Sequence, residues 1–77
     1  MQSTSELAVA FGRRLREVRQ RQDLTQEQLA DRTGMRPGAV GRLERGGRCP
    51  ALATTLRLAC GLCVPPGTLL DPLARLV

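Results

Sequence analysis

Four arginines fall within thirteen residues of this chain: Arg36, Arg42, Arg45 and Arg48, opposed by Glu44 alone. A guanidinium is flat, stays charged, and carries five donors in a fork that fits phosphate oxygens and the O6 and N7 edge of guanine. All twelve positive side chains are arginine, and the net charge is +5. A small basic domain of this kind reads first as a nucleic-acid binder. A plainer reading is a soluble protein from a GC-rich genome, where arginine codons replace lysine codons. That explains the missing lysines but explains the surplus positive charge less well.

Other chemistries find little support. Cys49, Cys60 and Cys63 include a Cys-x-x-Cys spacing at 60–63. A closed zinc site needs four ligands, and the chain has no His and no fourth Cys. Asp71 could join, but nothing in the spacing requires it. A Cys60–Cys63 disulfide would distort a helix end, whereas free cysteines in a reducing interior behave as small buried hydrophobes. Buried structural thiols are therefore the expectation. Ser3 and Ser5 have no base beside them to make a nucleophile. The seven carboxylates have ordinary helix-surface or capping explanations, and no Gly-rich phosphate loop is present. The expectation is a non-enzyme with no cofactor and no metal.

The arginines sit in and beside the stretch 25–46, which reads as two short helices around a turn. Thr25 can cap the first, with its hydroxyl accepting a backbone N–H. Gln28, three residues on, can return the bond and complete a capping box. Leu24 and Leu29 are spaced as a hydrophobic staple. These signals place a helix at about 26–33. Gly34 suits the left-handed turn that ends it, and Met35 can point inward from that turn. Pro37 is preset for the first position of a new helix. Val40 and Leu43 share one face of it, and Gly46-Gly47 stop it. Leu29, Ala30, Gly34, Met35, Val40 and Leu43 form the buried seam of a helix-turn-helix.

The flanks extend an all-α fold. Residues 1–5 are polar and expected to be disordered. Leu7, Phe11, Leu15 and Val18 recur at spacings of four, four and three, which makes an amphipathic helix from about 6 to 22. Arg13, Arg14, Arg16 and Arg21 lie largely off that stripe. A fourth helix is expected at about 51–62, with Leu52, Leu56, Ala59 and Leu62 as its apolar face. Ala51 stands at its start, where a capping Ser or Thr would give about 1 kcal/mol more. Pro66 can open a short fifth helix to about Asp71, with Leu69 and Leu70 closing the core. The tail 72–77 is apolar for a chain end and has three readings: packed on the body, paired with a second subunit, or the edge of a longer protein. Seventy-seven residues make one domain, and so short a domain buries only about 60% of its unfolded surface.

The chain resembles the phage repressor and Cro-type helix-turn-helix domain, often called XRE-like. The residues that carry the resemblance are Gln26, Leu29, Ala30, Gly34, Val40, Leu43 and Glu44-Arg45-Gly46, and it extends from about Phe11 to Leu70. It implies a compact five-helix domain at 6–71, a helix-turn-helix at 25–46, and a third helix that enters the DNA major groove. Arg36, Pro37, Gly38, Gly41 and Arg42 match the positions that face base edges. Pro37, Gly38 and Gly41 offer no side-chain donor or acceptor, so base readout falls to Arg36 and Arg42. Gln26 matches a phosphate-binding position, and Arg14, Arg45 and Arg48 are candidates for backbone contact. Arg19 and Glu44 match an ion pair that ties the first helix to the third. Cys63 stands where a helix-ending Gly is usual, which implies a strained conformation.

The implied function is sequence-specific binding of double-stranded DNA by a transcriptional regulator, most simply a repressor, acting as a homodimer. An antitoxin with a toxin partner, or a restriction–modification controller protein, shares this fold and length. A protein-interaction module that no longer reads DNA is the reading from another class, favoured by the bare third helix. No stretch approaches the roughly 18–20 apolar residues of a membrane span, and the N-terminus lacks the basic region of a secretory signal. The expected location is cytoplasmic, with the nucleoid.

Overall fold

A computed structural model describes residues 4–77. The chain forms α1 Thr4–Arg21, α2 Gln26–Thr33, α3 Pro37–Glu44, α4 Leu52–Gly61 and α5 Pro66–Leu70, and then a 3-10 helix, Asp71–Leu76. No strand occurs among the described residues. The first helix starts at Thr4 rather than Glu6, so Thr4 and Ser5 are helical. The rest of the segment expected to be disordered, 1–3, lies outside the described residues.

Each of the first three helices ends where its residues dictate. The α1 helix closes on Asp23 at φ 56°, with Leu24 N–H bonded back to the Arg19 carbonyl. A short polar side chain tolerates that left-handed conformation better than most. Thr25 then starts α2 with both halves of the capping box in place: its hydroxyl accepts from Gln28 N at 3.0 Å, and Gln28 Oε1 accepts from Thr25 N at 2.8 Å. Gly34 ends α2 at φ 70°. The extended Arg36 precedes Pro37, as the residue before a proline is steered to be. Pro37 then opens α3, and Gly46 at φ 74° ends it.

Helix α1 is the spine. It packs on α3, on α5 and on the 3-10 helix, while α4 packs on α2 and α5. The crossing with α3 is a backbone contact: a Cβ at Gly12 would lie 2.3 Å from the Leu43 carbonyl oxygen. Phe11, Leu15, Val18, Leu29, Ala30, Val40, Leu43, Leu58, Ala59, Leu62 and Leu69 form one core, with Met35 packed against it.

The face of α4 departs from expectation. Its buried side is Thr55, Leu58 and Ala59, followed by Leu62, whereas Leu52 is 72% and Leu56 47% exposed. Thr55 can be buried because its hydroxyl donates to the Ala51 carbonyl at 3.1 Å, so no polar group is stranded. With that turn of the helix, Leu58 rather than Leu56 points inward. Leu70 is also partly exposed, and Leu69 alone of the pair closes the core. The tail forms the 3-10 helix against α1, with Leu73 packed on the core.

Candidate nucleic-acid interface

The inner side of α3 is locked down, and its outer side is open. Val40 and Leu43 are buried, whereas Arg36, Pro37, Gly38 and Arg42 are exposed. Behind the helix, the Glu44 carboxylate accepts from Arg19 Nε at 2.6 Å and Arg19 Nη2 at 2.9 Å. The Glu44 side chain is only 3% exposed. Arg19 Nη1 donates to the Leu24 carbonyl at 2.6 Å. The bond to Glu44 holds the Arg19 pKa above the ordinary arginine value, against the opposing pull of burial. A paired, fully hydrogen-bonded ion of this kind fixes the orientation of α3 on α1 and on the α1–α2 turn.

The open side forms a groove of about 470 Å³ between α3 and the start of α4. Arg36, Arg42 and Arg48 line it, with Gly38, Pro50 and Thr54. Three arginines spaced six residues apart thus share one concave surface. Arg45 is exposed at the end of α3, on the side that meets Gln26.

Three expected positions sit differently from the sequence reading. Gln26 is not free at the start of α2: its Nε2 donates to Glu44 Oε1 at 3.1 Å. Gly41 is buried beneath the Gln26 and Arg45 side chains instead of being open to the groove as Gly38 is. Arg14 points to the other end of the molecule, where its Nε donates to the Thr68 carbonyl at 2.7 Å and its Nη1 pairs with Glu17 at 3.5 Å. It is a tie between α1 and α5. Its spacing, three after Phe11 and four before Val18, flanks the buried stripe and marks it in retrospect as a candidate for packing. Gln22 is a similar tie that sequence reasoning missed, donating to the Leu62 carbonyl at 2.6 Å.

The cysteines correct an expectation. All three are free and exposed, so none is a buried hydrophobe. Cys49 is in a surface loop, and Cys60 is on the outer face of α4 because the helix is turned to bury Thr55. Cys63 ends α4 at φ 57°, a conformation that strains a residue with a Cβ. Among the described residues no three His, Cys, Asp or Glu side chains cluster to hold a metal ion. No helix of the described residues is long and apolar enough to cross a membrane.

With this geometry in view, a family model described as a helix-turn-helix domain matches residues 10–73. The chain belongs to the helix-turn-helix family. It is 34% identical over 58 residues to the HTH-type transcriptional regulator SutR of Escherichia coli K12, across 75% of this chain and 33% of that protein. The chain therefore spans about a third of the length of that relative. Its structure is similar to the restriction–modification controller protein C.AhdI of Aeromonas hydrophila, with a TM-score of 0.79 and 44% identity over 80% of this chain and 94% of the other. An HTH_3 family transcriptional regulator from Vibrio cholerae shares the fold at TM-score 0.88 and 23% identity, over 96% of this chain and 42% of that one. The hypothetical transcription factor NHTF from Neisseria does so at TM-score 0.80 and 24% identity, over 100% and 92%. This helix-turn-helix chain thus has the all-α, XRE-type architecture of transcriptional regulators.

Proposed function

We propose that this chain is a sequence-specific double-stranded DNA-binding regulator of transcription, a repressor in its simplest form, working without catalysis in the cytoplasm. The observation that carries the reading is the groove beside α3, where Arg36, Arg42 and Arg48 converge while the buried Glu44 holds the helix from behind. A helix presented this way fits the major groove with its first turn toward base edges. Arg36 and Arg42 are the residues to read guanine, each good bidentate contact giving roughly 1–3 kcal/mol of discrimination. Pro37 and Gly38 let the backbone approach closely. Gln26, Arg45 and Arg48 serve the phosphate backbone, and Arg14 is left out of the surface because it is spent on α5.

One domain covers one half-site, and helix-turn-helix dimers bind half-sites centred about 34 Å apart. The apolar side of the molecule supports a homodimer. A groove of about 360 Å³ is lined by Leu7, Phe11, Leu70, Leu73 and Val77 beside Thr55 of α4. The exposed Leu52 and Leu56 lie on α4 three residues before Thr55 and next after it. Projecting leucines beside an apolar groove suit a two-fold contact in which each copy fills the other. Sedimentation that finds a monomer both free and on a duplex with two half-sites removes this part of the proposal.

The similarity to C.AhdI, nearly all of whose length the chain covers, favours a restriction–modification controller role over an antitoxin with a toxin partner. The test of DNA binding is fluorescence anisotropy on a labelled random-sequence duplex pool across a salt titration, with sequencing of the bound fraction. The expected result is a steep loss of affinity with salt and enrichment of a G-containing near-palindrome. Absence of binding even at low salt overturns the reading and leaves a protein-interaction module.

A further inference from the structure

Gly41 lies on α3 where two polar side chains from different helix ends meet over it. A Cβ at this position would stand 3.1 Å from Gln26 Oε1, 3.5 Å from Gln26 Nε2 and 3.0 Å from Arg45 Nη1. The two shorter distances are a few tenths of an ångström tighter than an ordinary contact of a Cβ. Both intruding groups are the far ends of flexible side chains, so a methyl here would displace them and leave the backbone alone. Gly12 is the opposite case, since its Cβ would strike the backbone of α3. A glycine inside a helix weakens that helix, and at Gly41 the backbone φ is not in the left-handed region that calls for one. What the missing side chain provides is the room that Gln26 and Arg45 occupy.

Those two ends are not loosely placed. Gln26 Nε2 donates to Glu44 Oε1, and Glu44 is buried and held by Arg19. The amide is therefore referred to the core of the domain, with its second Nε2 hydrogen left for another acceptor. Arg45 brings a cationic fork to the same spot from the end of α3.

We infer that Gly41 is a positioning residue, whose bare Cα seats the Gln26 amide and the Arg45 guanidinium side by side as one clamp for a phosphodiester oxygen of duplex DNA. The inference rests on the DNA-binding reading above and deepens it, because it moves Gly41 from a bare position facing base edges to the placement of backbone contacts. It also separates two roles for the glycines of α3. Gly38 has nothing within 4 Å of where its Cβ would be and is open to the groove, whereas Gly41 is covered.

The test compares wild type, Gly41→Ala, Arg45→Ala and the double variant by thermal melting and by duplex anisotropy across salt. Gly41→Ala is expected to melt near the wild-type temperature, because the preference of alanine for the helix offsets a weakened Gln26–Glu44 bond. Its affinity is expected to fall by about tenfold for duplexes of any sequence. The slope of log affinity against log salt is expected to drop by about one, as when one phosphate contact is lost. In the Arg45→Ala background the added Gly41→Ala change is expected to do little more, since the two act through one contact. Unchanged affinity and slope in Gly41→Ala overturn the inference. Fully additive losses in the double variant overturn it as well. A lowered melting temperature would make Gly41 a packing requirement and also overturn it. A wild type that binds no duplex at low salt removes the DNA reading and this inference together, whereas a wild type that binds no better than Gly41→Ala removes the inference alone.

Discussion

The two ends of this small fold are held by different means. The α2–α3 half is tied by polar bonds: a complete capping box at Thr25, a glycine at φ 70° between the helices, and a buried carboxylate that takes bonds from Arg19 and Gln26. The α4–α5 half is tied to α1 and its end by two side-chain bonds to backbone carbonyls, from Arg14 to Thr68 and from Gln22 to Leu62. But it has no side-chain cap at Ala51 or Pro65, ends α4 on a strained Cys63, and leaves Leu52, Leu56 and Leu70 in solvent. Directional bonds fix orientation, and apolar area does not. A helix that presents arginines to a regular lattice of phosphates and base edges needs a fixed orientation. A surface that meets a second copy needs area. The difference in construction matches the two duties proposed for the two halves.

The largest break in this contrast is Arg19→Ala. It leaves the Glu44 carboxylate buried with only the Gln26 amide, and an uncompensated buried charge costs roughly 3–5 kcal/mol. In a single domain of this size the unfolding midpoint in urea should fall steeply. An Arg19→Ala protein that unfolds like wild type would mean that orientation of α3 is set by its leucines after all, and the contrast between the halves would collapse. Arg14→Ala is the matching cut in the other half. Its tie to Thr68 is a partly exposed bond beside an exposed ion pair, so it should cost only about 1 kcal/mol.

Much of the α2–α3 half was legible in the sequence because its signals are local. Thr25 and Gln28 are three apart, Gly34 and Pro37 punctuate the chain, and each requires only neighbours to act. The remaining half was less legible because its outcome depends on a choice between faces. Leucines at 52, 56, 58 and 62 leave two ways to roll α4. Burying Thr55 decides between them, and that is possible only because a threonine hydroxyl can bond its own helix. The same roll brings Cys60 outward, against the usual burial of free cysteine. The ties of Arg14, Gln22 and Gln26 were hidden for a further reason. Each long side chain reaches a group distant in sequence, and no spacing rule records that.

The apolar half is tested next by Leu56→Arg, which places a charge on the proposed two-fold contact. Leu56 is half exposed, so the monomer should keep its stability to within about 0.5 kcal/mol. Affinity for a duplex with two half-sites should fall about a hundredfold, toward that of a single half-site, since linked binding gains at least that factor. Unaltered affinity and sedimentation would place the partner surface elsewhere. Arg42→Ala then probes the arginine groove. It should leave the midpoint near wild type and remove roughly 1–3 kcal/mol of discrimination at one guanine of the half-site. A uniform loss across all sequences would demote Arg42 to a phosphate contact.

The smallest effect expected is also the most specific to the way α4 is built. Cys63 sits at φ 57° at a helix end, where Gly34 and Gly46 serve the same purpose in α2 and α3. A residue with a Cβ is disfavoured there by roughly 1–2 kcal/mol. Cys63→Gly should relieve that strain, while the freer unfolded chain takes back about 0.4–1 kcal/mol. The net gain should be about 0.8 kcal/mol in a urea titration, the difference between the midpoints of those two terms. Duplex affinity should not change, because Cys63 belongs to the half that offers no arginine to the α3 groove. A stability loss on Cys63→Gly would mean that the side chain of Cys63 makes a contact worth more than the strain, and the C-terminal end of α4 would be better fastened than its backbone suggests.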